Sequence, residues 1–175
     1  MPSIMTHAAV VVGAGALTRL PRRPLAFWVV SVGVSVLPDL DVLAYALGVP
    51  HGSMWSHRGI THSLIAAFVT GTLVAIMSRG RFFSSARTLA IYLSLLMASH
   101  GVLDAFTEGG AGVAFFAPFS TARYLFPVRP VPAAPLGLAY FSALGLRAFE
   151  AELLWIWLPT ALVGGVATLW RAHGR

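Results

Sequence analysis

Asp39 and Asp41, His57 and His62, and His100 and Asp104 form three tight pairs. Each lies in or beside an apolar run: V-L-P-D-L-D-V-L, W-S-H-R-G-I-T-H-S and M-A-S-H-G-V-L-D. Burying an ionisable group in such surroundings costs several kcal/mol unless it is paired or bound to metal. Scattered independently these residues are hard to accommodate; gathered together they make a metal centre. His100 and Asp104 are four apart, so on a helix they share one face and can share one divalent ion. Asp39 and Asp41 straddle one residue after Pro38, and in an unwound segment two such carboxylates point to one ion or bridge two. His57 and His62 bracket R-G-I-T, where Gly59 suits a tight turn and Thr61 or Ser63 can cap a following helix. Arg58 adds a forked cation suited to phosphate or carboxylate, beside a helix N-terminus that also favours an anion.

His7 brings the candidate ligands to seven: His7, Asp39, Asp41, His57, His62, His100 and Asp104. A mononuclear catalytic zinc uses three protein ligands and keeps one position open. Seven ligands suit two metals, a pair that generates hydroxide and stabilises both oxygens of an in-line displacement at phosphorus. Oxygen and imidazole donors fit Zn²⁺, Mn²⁺, Fe²⁺ or Mg²⁺, and the abundance of His puts zinc first. Glu150 and Glu152 stand as ligands, a general base or partners of Arg147, with Glu152, which abuts the apolar L-L-W run, preferred. His51 and His173 read as solvent-facing. The chain has no cysteine, which excludes disulfides and thiolate zinc sites.

The elements that must position these residues are membrane helices. Of the 175 residues, 57% are hydrophobic and 10% charged, and the mean hydropathy is +0.78. Soluble domains carry roughly 25% charged residues, so the solvent around this single domain is lipid. Apolar segments lie at 4–17, 25–47, 60–78, 88–106 and 151–170. The last three have the length of about 20 residues that a span needs. The first is short, and the second is interrupted at Pro38-Asp39-Leu40-Asp41, where proline breaks or kinks a helix. Residues 107–135, rich in Gly, Pro and aromatics, form a long ordered loop, and 136–150 an amphipathic helix lying at the interface. The expected fold is therefore all-α, a polytopic bundle of four to five apolar helices.

All 12 basic residues are Arg, for a net charge of +6. Arg19, Arg22 and Arg23 cluster between the first two segments, Arg79, Arg81 and Arg87 between the third and fourth, and Arg171 and Arg175 follow the fifth. Alternating crossings put all three clusters on one side, the cytoplasmic one by the positive-inside rule. The Asp and His pairs then gather near the opposite, non-cytoplasmic face of a prokaryotic inner membrane. Without a basic stripe and interleaved aromatics, nucleic acid is not an expected partner. The N-terminal M-P-S-I-M-T-H lacks a basic n-region, so a cleaved signal is not expected.

The T-H near the N-terminus, L-P-D-L-D, H-R-G-I-T-H-S and H-G-V-L-D, followed by a Gly- and Pro-rich stretch, resemble the YdjM-like family of membrane-bound metal-dependent hydrolases. The resemblance runs from His7 to about Pro130 and implies that the seven Asp and His residues are its motif positions. A more distant likeness joins His100 and Asp104 to the H-x-x-x-D of the zinc-dependent phospholipase C and P1-nuclease group, although the H-x-x-x-E of that group is absent. The expected function is hydrolysis of a lipid or lipid-linked phosphoester by a metal-activated water, with Arg58 steadying the phosphate and Glu152 as the acid–base residue. The rivals are a metal-ion transporter, whose site belongs near the bilayer midplane with access from both sides, and a non-catalytic metal-binding membrane protein.

Overall fold

Three serines start helices. The Ser63 hydroxyl accepts the Ala66 amide at 3.1 Å, Ser85 accepts that of Thr88 at 3.4 Å, and Ser142 that of Gly145 at 3.5 Å. Each satisfies one amide that the helix itself leaves unbonded. The computed structural model describes residues 1–18, 24–78, 81–83, 85–135 and 137–173. Arg19, Arg22, Arg23, Arg79 and Arg175, which carried much of the topology argument, lie outside the described residues.

The elements in order are α1 (Ile4–Leu17), α2 (Leu25–Val36), a 3-10 turn (Leu37–Val42), α3 (Leu43–Ala46), a 3-10 turn (Ile60–His62), α4 (Leu64–Met77), α5 (Ala86–Ala105), a 3-10 segment (Gly137–Phe141), α6 (Ala143–Glu152), a π turn (Leu153–Trp157) and α7 (Leu158–His173). The fold is all-helical, as expected. Three continuous runs are long and apolar enough to cross a bilayer: Leu25–Ala46 with 22 residues, Ala86–Ala105 with 20 and Ala143–His173 with 31.

One sequence expectation changes, and two are made more exact. The segment 60–78 is not a full span, because the helix starts only at Leu64, after the Ser63 cap, and ends at Met77. Its 14 residues measure about 21 Å, short of the roughly 30 Å hydrocarbon core. The second segment is interrupted at Pro38 as expected: α2 ends at Val36, and the chain continues through the 3-10 turn Leu37–Val42 into α3. The helix expected over 136–150 runs as α6 from Ala143 to Glu152 and leads into the last span, continuously, through the π turn.

Phe27, Val34, Ala67, Ala75, Phe82, Leu89, Leu93 and Met97 form the core between α2, α4 and α5. The α4–α5 pair makes the most extensive contact. Gly71 permits it, because any Cβ there would run into Ser94 of α5. Outward-facing residues are as apolar as the core: Leu25 is 78% exposed, Met77 82% and Trp170 74%. An apolar exterior of this kind is a lipid-facing surface.

The helices alternate in direction. His7 at the start of α1 stacks on His100 near the end of α5, and Asp39 after α2 reaches His62 before α4 and His100. At the far end, the Arg171 guanidinium donates to the Thr18 carbonyl at 2.8 Å, setting the last turn of α7 beside the end of α1. The 107–135 segment is ordered without strands of its own. Val113 and Tyr124 exchange two backbone hydrogen bonds of 2.9 Å, and Thr107 bridges to Val131.

Candidate metal centre

His62 is the hub. Its ring is fully buried between the two carboxylates of the L-P-D-L-D turn: Nδ1 lies 3.1 Å from Asp41 Oδ2 and Nε2 lies 3.8 Å from Asp39 Oδ1. The 3-10 geometry explains the grip. With three residues per turn, positions two apart point about 120° away from each other, so Asp39 and Asp41 diverge and take opposite nitrogens. Nε2 also faces Asp104 Oδ2 at 3.3 Å.

His100 is completed from its other side. Its Nδ1 bonds the Ser35 carbonyl at 2.8 Å, which fixes the ring and turns Nε2 toward Asp39 Oδ1 at 3.2 Å. Such a backbone or carboxylate partner on the far nitrogen is how metal-ligating imidazoles are oriented. Ser35 supplies it for His100, and Asp41 does so for His62. Asp41 is itself held by His57 Nδ1 at 2.7 Å and by the Thr61 hydroxyl.

The seven expected ligands therefore separate. One ligand atom from each of Asp39, His62, His100 and Asp104 lies within 4.8 Å of all the others. Ligands on opposite sides of one ion at about 2.0–2.2 Å are roughly 4 Å apart, so a small inward movement closes this set on an ion. Asp41 and His57 form a second group that shares His62. His7 belongs to neither; it stacks on His100, with ring centroids 3.8 Å apart and planes at 14°.

The donor set fits a cation on a further ground. Asp39 Oδ2, Asp104 Oδ1, His62 Nε2 and both ring nitrogens of His7 are buried without a hydrogen-bond partner. Buried polar atoms are very rarely left so. A metal ion satisfies carboxylate oxygens and imidazole nitrogens together. His57 and Asp39 keep the most side-chain exposure, 16% and 9%, so this is the side from which ions and water reach the cluster.

His62 precedes the first residue of α4 and is the ring most sensitive to protons. Burial opposes its charge, but the carboxylates of Asp104, Asp39 and Asp41 outweigh that and raise its pKa to about 10. The folded-state value lies above the ordinary one near 6.5. This charge interaction therefore stabilises the metal-free protein fully below pH 6.5 and is lost as pH rises through about 10. A metal at Nε2 must displace the proton. Zinc binding at pH 7 is expected to release about one proton, measured by titration calorimetry in buffers of differing ionisation enthalpy. Release of no proton would show that the metal displaces none from His62.

Arg58 is not where a substrate phosphate needs it. The side chain is 3% exposed. Nε donates to Asp104 Oδ2 at 3.1 Å, Nη1 to the Gly109 carbonyl at 3.0 Å and Nη2 to the Thr107 hydroxyl at 2.9 Å. Its backbone also holds the left-handed conformation expected of Gly59, with φ of 64°. Gly59 is needed for a different reason: a Cβ there would collide with the Met54 and Ser56 carbonyls. Glu152 also lies apart, bonded to Ser3 and Thr6, while Glu150 and His173 take no place in the cluster.

Sequence reasoning passed over Arg123. Its guanidinium donates to the carbonyls of His57, Gly112 and Ser53 and to the Ser56 hydroxyl, at 3.2, 3.1, 2.8 and 3.0 Å. It ties the 107–135 loop over the His57–Arg58 turn. An isolated Arg between T-A and Y-L carries no local signal of this role.

The family described as YdjM inner membrane protein matches residues 1–174. The inner membrane protein YbcI of Escherichia coli (strain K12) is 36% identical over 173 residues, covering 97% of this chain and 98% of the relative. No solved structure matches the chain. With its membrane-length helices and a match over nearly its whole length, the chain belongs to the YdjM inner membrane protein family.

Proposed function

We propose that the protein is a metal-dependent hydrolase of the inner membrane acting on a phosphoester of a lipid or lipid-linked substrate. The observation that carries this reading is the set Asp39, His62, His100 and Asp104, with its buried unpartnered donor atoms and outer partners already in place. One divalent ion, zinc by its donors, fits this set, with Asp41 and His57 as its outer shell. Such an ion supplies Lewis-acid polarisation of a phosphoryl oxygen and a lowered pKa for water. The protein's own residues orient and exclude. Ser35 and Asp41 hold the two imidazoles, Arg58 holds Asp104, and Arg123 keeps the loop closed over the turn.

Two features support a lipid substrate and an outward site. An apolar furrow of about 830 Å³ runs between α1 and α7 from Met5 and Trp157 to Leu169. It has the character needed for an acyl chain. Arg81, Arg87 and Arg171 lie at the ends of α4, α5 and α7 remote from the cluster, which by the positive-inside rule favours a cluster facing away from the cytoplasm. A cysteine placed at exposed His51 is expected to react with an impermeant maleimide from outside the inner membrane; labelling only from the cytoplasmic side overturns that orientation.

The activity is tested on purified protein in vesicles of phosphatidylethanolamine, phosphatidylglycerol and phosphatidic acid. Zinc- or manganese-loaded protein is expected to release phosphate or a phosphorylated headgroup, detected by lipid mass spectrometry, and EDTA to stop it. Metal-loaded protein that leaves every phosphoester intact, including a lipid-linked diphosphate, sinks the reading. Metal uptake into sealed vesicles would favour the transporter instead.

A further inference from the structure

Glu152 is fully buried and, among the described residues, no Arg or His nitrogen forms an ion pair with it. A lone carboxylate in such a place must be held by hydrogen bonds. Oε1 accepts the Ser3 backbone amide at 2.6 Å; Oε2 accepts the hydroxyls of Ser3 and of Thr6, the latter at 2.7 Å. Ser3 is the N-cap of α1, makes no side-chain cap of its own, and is followed by a first turn without an acidic residue. In a capping box, the acid at the third helical position reaches back to the N-cap amide. Here that position is Thr6, and Glu152 performs the same task from another helix.

The π turn makes this possible. The Trp157 indole donates to the Thr6 hydroxyl at 2.7 Å, so Glu152 and Trp157, five residues apart, meet on one side chain. In an α-helix they would point about 140° apart. The π turn, closed by the Leu158 amide on the Leu153 carbonyl, rotates them onto the same face. Thr6 is followed by His7, whose ring nitrogens have no partner and whose orientation rests on stacking against His100. The Ser35 hydroxyl donates to the His7 backbone carbonyl at 3.4 Å, but no polar group holds the ring itself; the clamp on the first turn of α1 sets where the ring starts.

We infer that Glu152, with the π turn behind it, is the positioning residue of the metal centre, fixing α1 so that His7 stays stacked on His100, which belongs to the set with Asp39, His62 and Asp104. This rests on the metal-centre reading above. The three donors already on its carboxylate leave Glu152 occupied, so it orients and does not act as a base.

The test uses the full chain in detergent or nanodiscs, with zinc titrations, Co²⁺ absorption spectra and thermal midpoints. His7→Ala and Glu152→Ala are each expected to weaken zinc binding about 10- to 100-fold, with the double variant no weaker than His7→Ala alone. Both are expected to alter the Co²⁺ spectrum in the same way. Leu93→Ala, a core change remote from the clamp, is expected to lower the midpoint and leave the spectrum unchanged. Glu152→Gln, which still accepts the Ser3 amide, is expected to recover most of the affinity, and Trp157→Phe to lose only a few-fold. Should Glu152→Ala fail to fold, the Gln and Phe variants and their cycles with His7→Ala carry the test. Additive losses, or an unchanged Co²⁺ spectrum in Glu152→Ala, overturn the inference. Wild-type protein that binds no metal overturns the metal-centre reading itself.

Discussion

Asp104→Asn is expected to empty the centre. The substitution keeps the shape and helical position of the side chain but removes its negative charge and offers an amide in place of one carboxylate oxygen. Asp104 faces His62 Nε2 at 3.3 Å and has one oxygen without a partner. Outer partners of metal ligands are worth about 10- to 100-fold in affinity, and loss of a ligand carboxylate is expected to exceed the upper end of that range. His100→Ala is expected to act alike, because His100 Nε2 belongs to the same set. His51→Ala is the matched control; that ring is exposed and stacks on Tyr45 outside the cluster. Zinc per chain by elemental analysis, with affinity by competition against a chelator, decides it. An Asp104→Asn protein that retains zinc at wild-type affinity removes Asp104 from the ligand set.

The second large effect concerns Arg58. Its pair with Asp104 is buried on both sides, with side-chain exposures of 3% and 0%. Removing one member of a buried pair leaves an uncompensated charge and costs about 3–5 kcal/mol. Arg58→Ala is expected to lower the thermal midpoint by roughly 6–20 °C, taking about 2–4 °C per kcal/mol for a domain of this size. Arg58→Lys is not expected to rescue it, because one ammonium cannot reach Asp104, the Gly109 carbonyl and the Thr107 hydroxyl from a forked plane. A divalent ion beside Asp104 neutralises part of the stranded charge, so added zinc is expected to restore more stability to Arg58→Ala than it adds to wild type. If Arg58→Ala melts with the wild type and loses only turnover, Arg58 serves the substrate, as the sequence alone proposes.

The contrast between Arg58 and His62 shows what a linear motif can carry. Both sit in H-R-G-I-T-H-S, and both are chemically capable of meeting a phosphate or a metal. His62 is recognisable because its kind recurs beside Asp and His at spacings that one helix or one turn can bring together. Arg58 is misread because its acceptors, Asp104, Thr107 and Gly109, lie 46 to 51 residues away and two of them are ordinary loop groups. Arg123 is invisible for the same reason, since three of its four acceptors are backbone carbonyls. Every residue has one, so nothing in the sequence marks which will be chosen.

The same division runs through the helices. Apolar length alone locates the spans at 25–46 and 86–105, because hydropathy sums over many residues and survives local error. It overestimates α4, where Ser63 ends the 3-10 turn and starts the helix, and it separates α6 from α7, where a π turn joins them. The turn has no propensity signature; it follows from Glu152 and Trp157 both reaching Thr6 across about 150 positions of chain.

The sequence by itself therefore determined the membrane setting, the helical class and the Asp and His residues that meet at one end of the bundle. Those properties reside in residue types and short spacings, which add along the chain. Only the tertiary structure decided which carboxylate takes which nitrogen of His62, that His7 stacks on His100, that Arg58 pairs with Asp104 and that Glu152 holds Ser3 and Thr6. Each of these depends on angles and partners set by distant segments, where a rotation of one helical position turns a ligand away from the site.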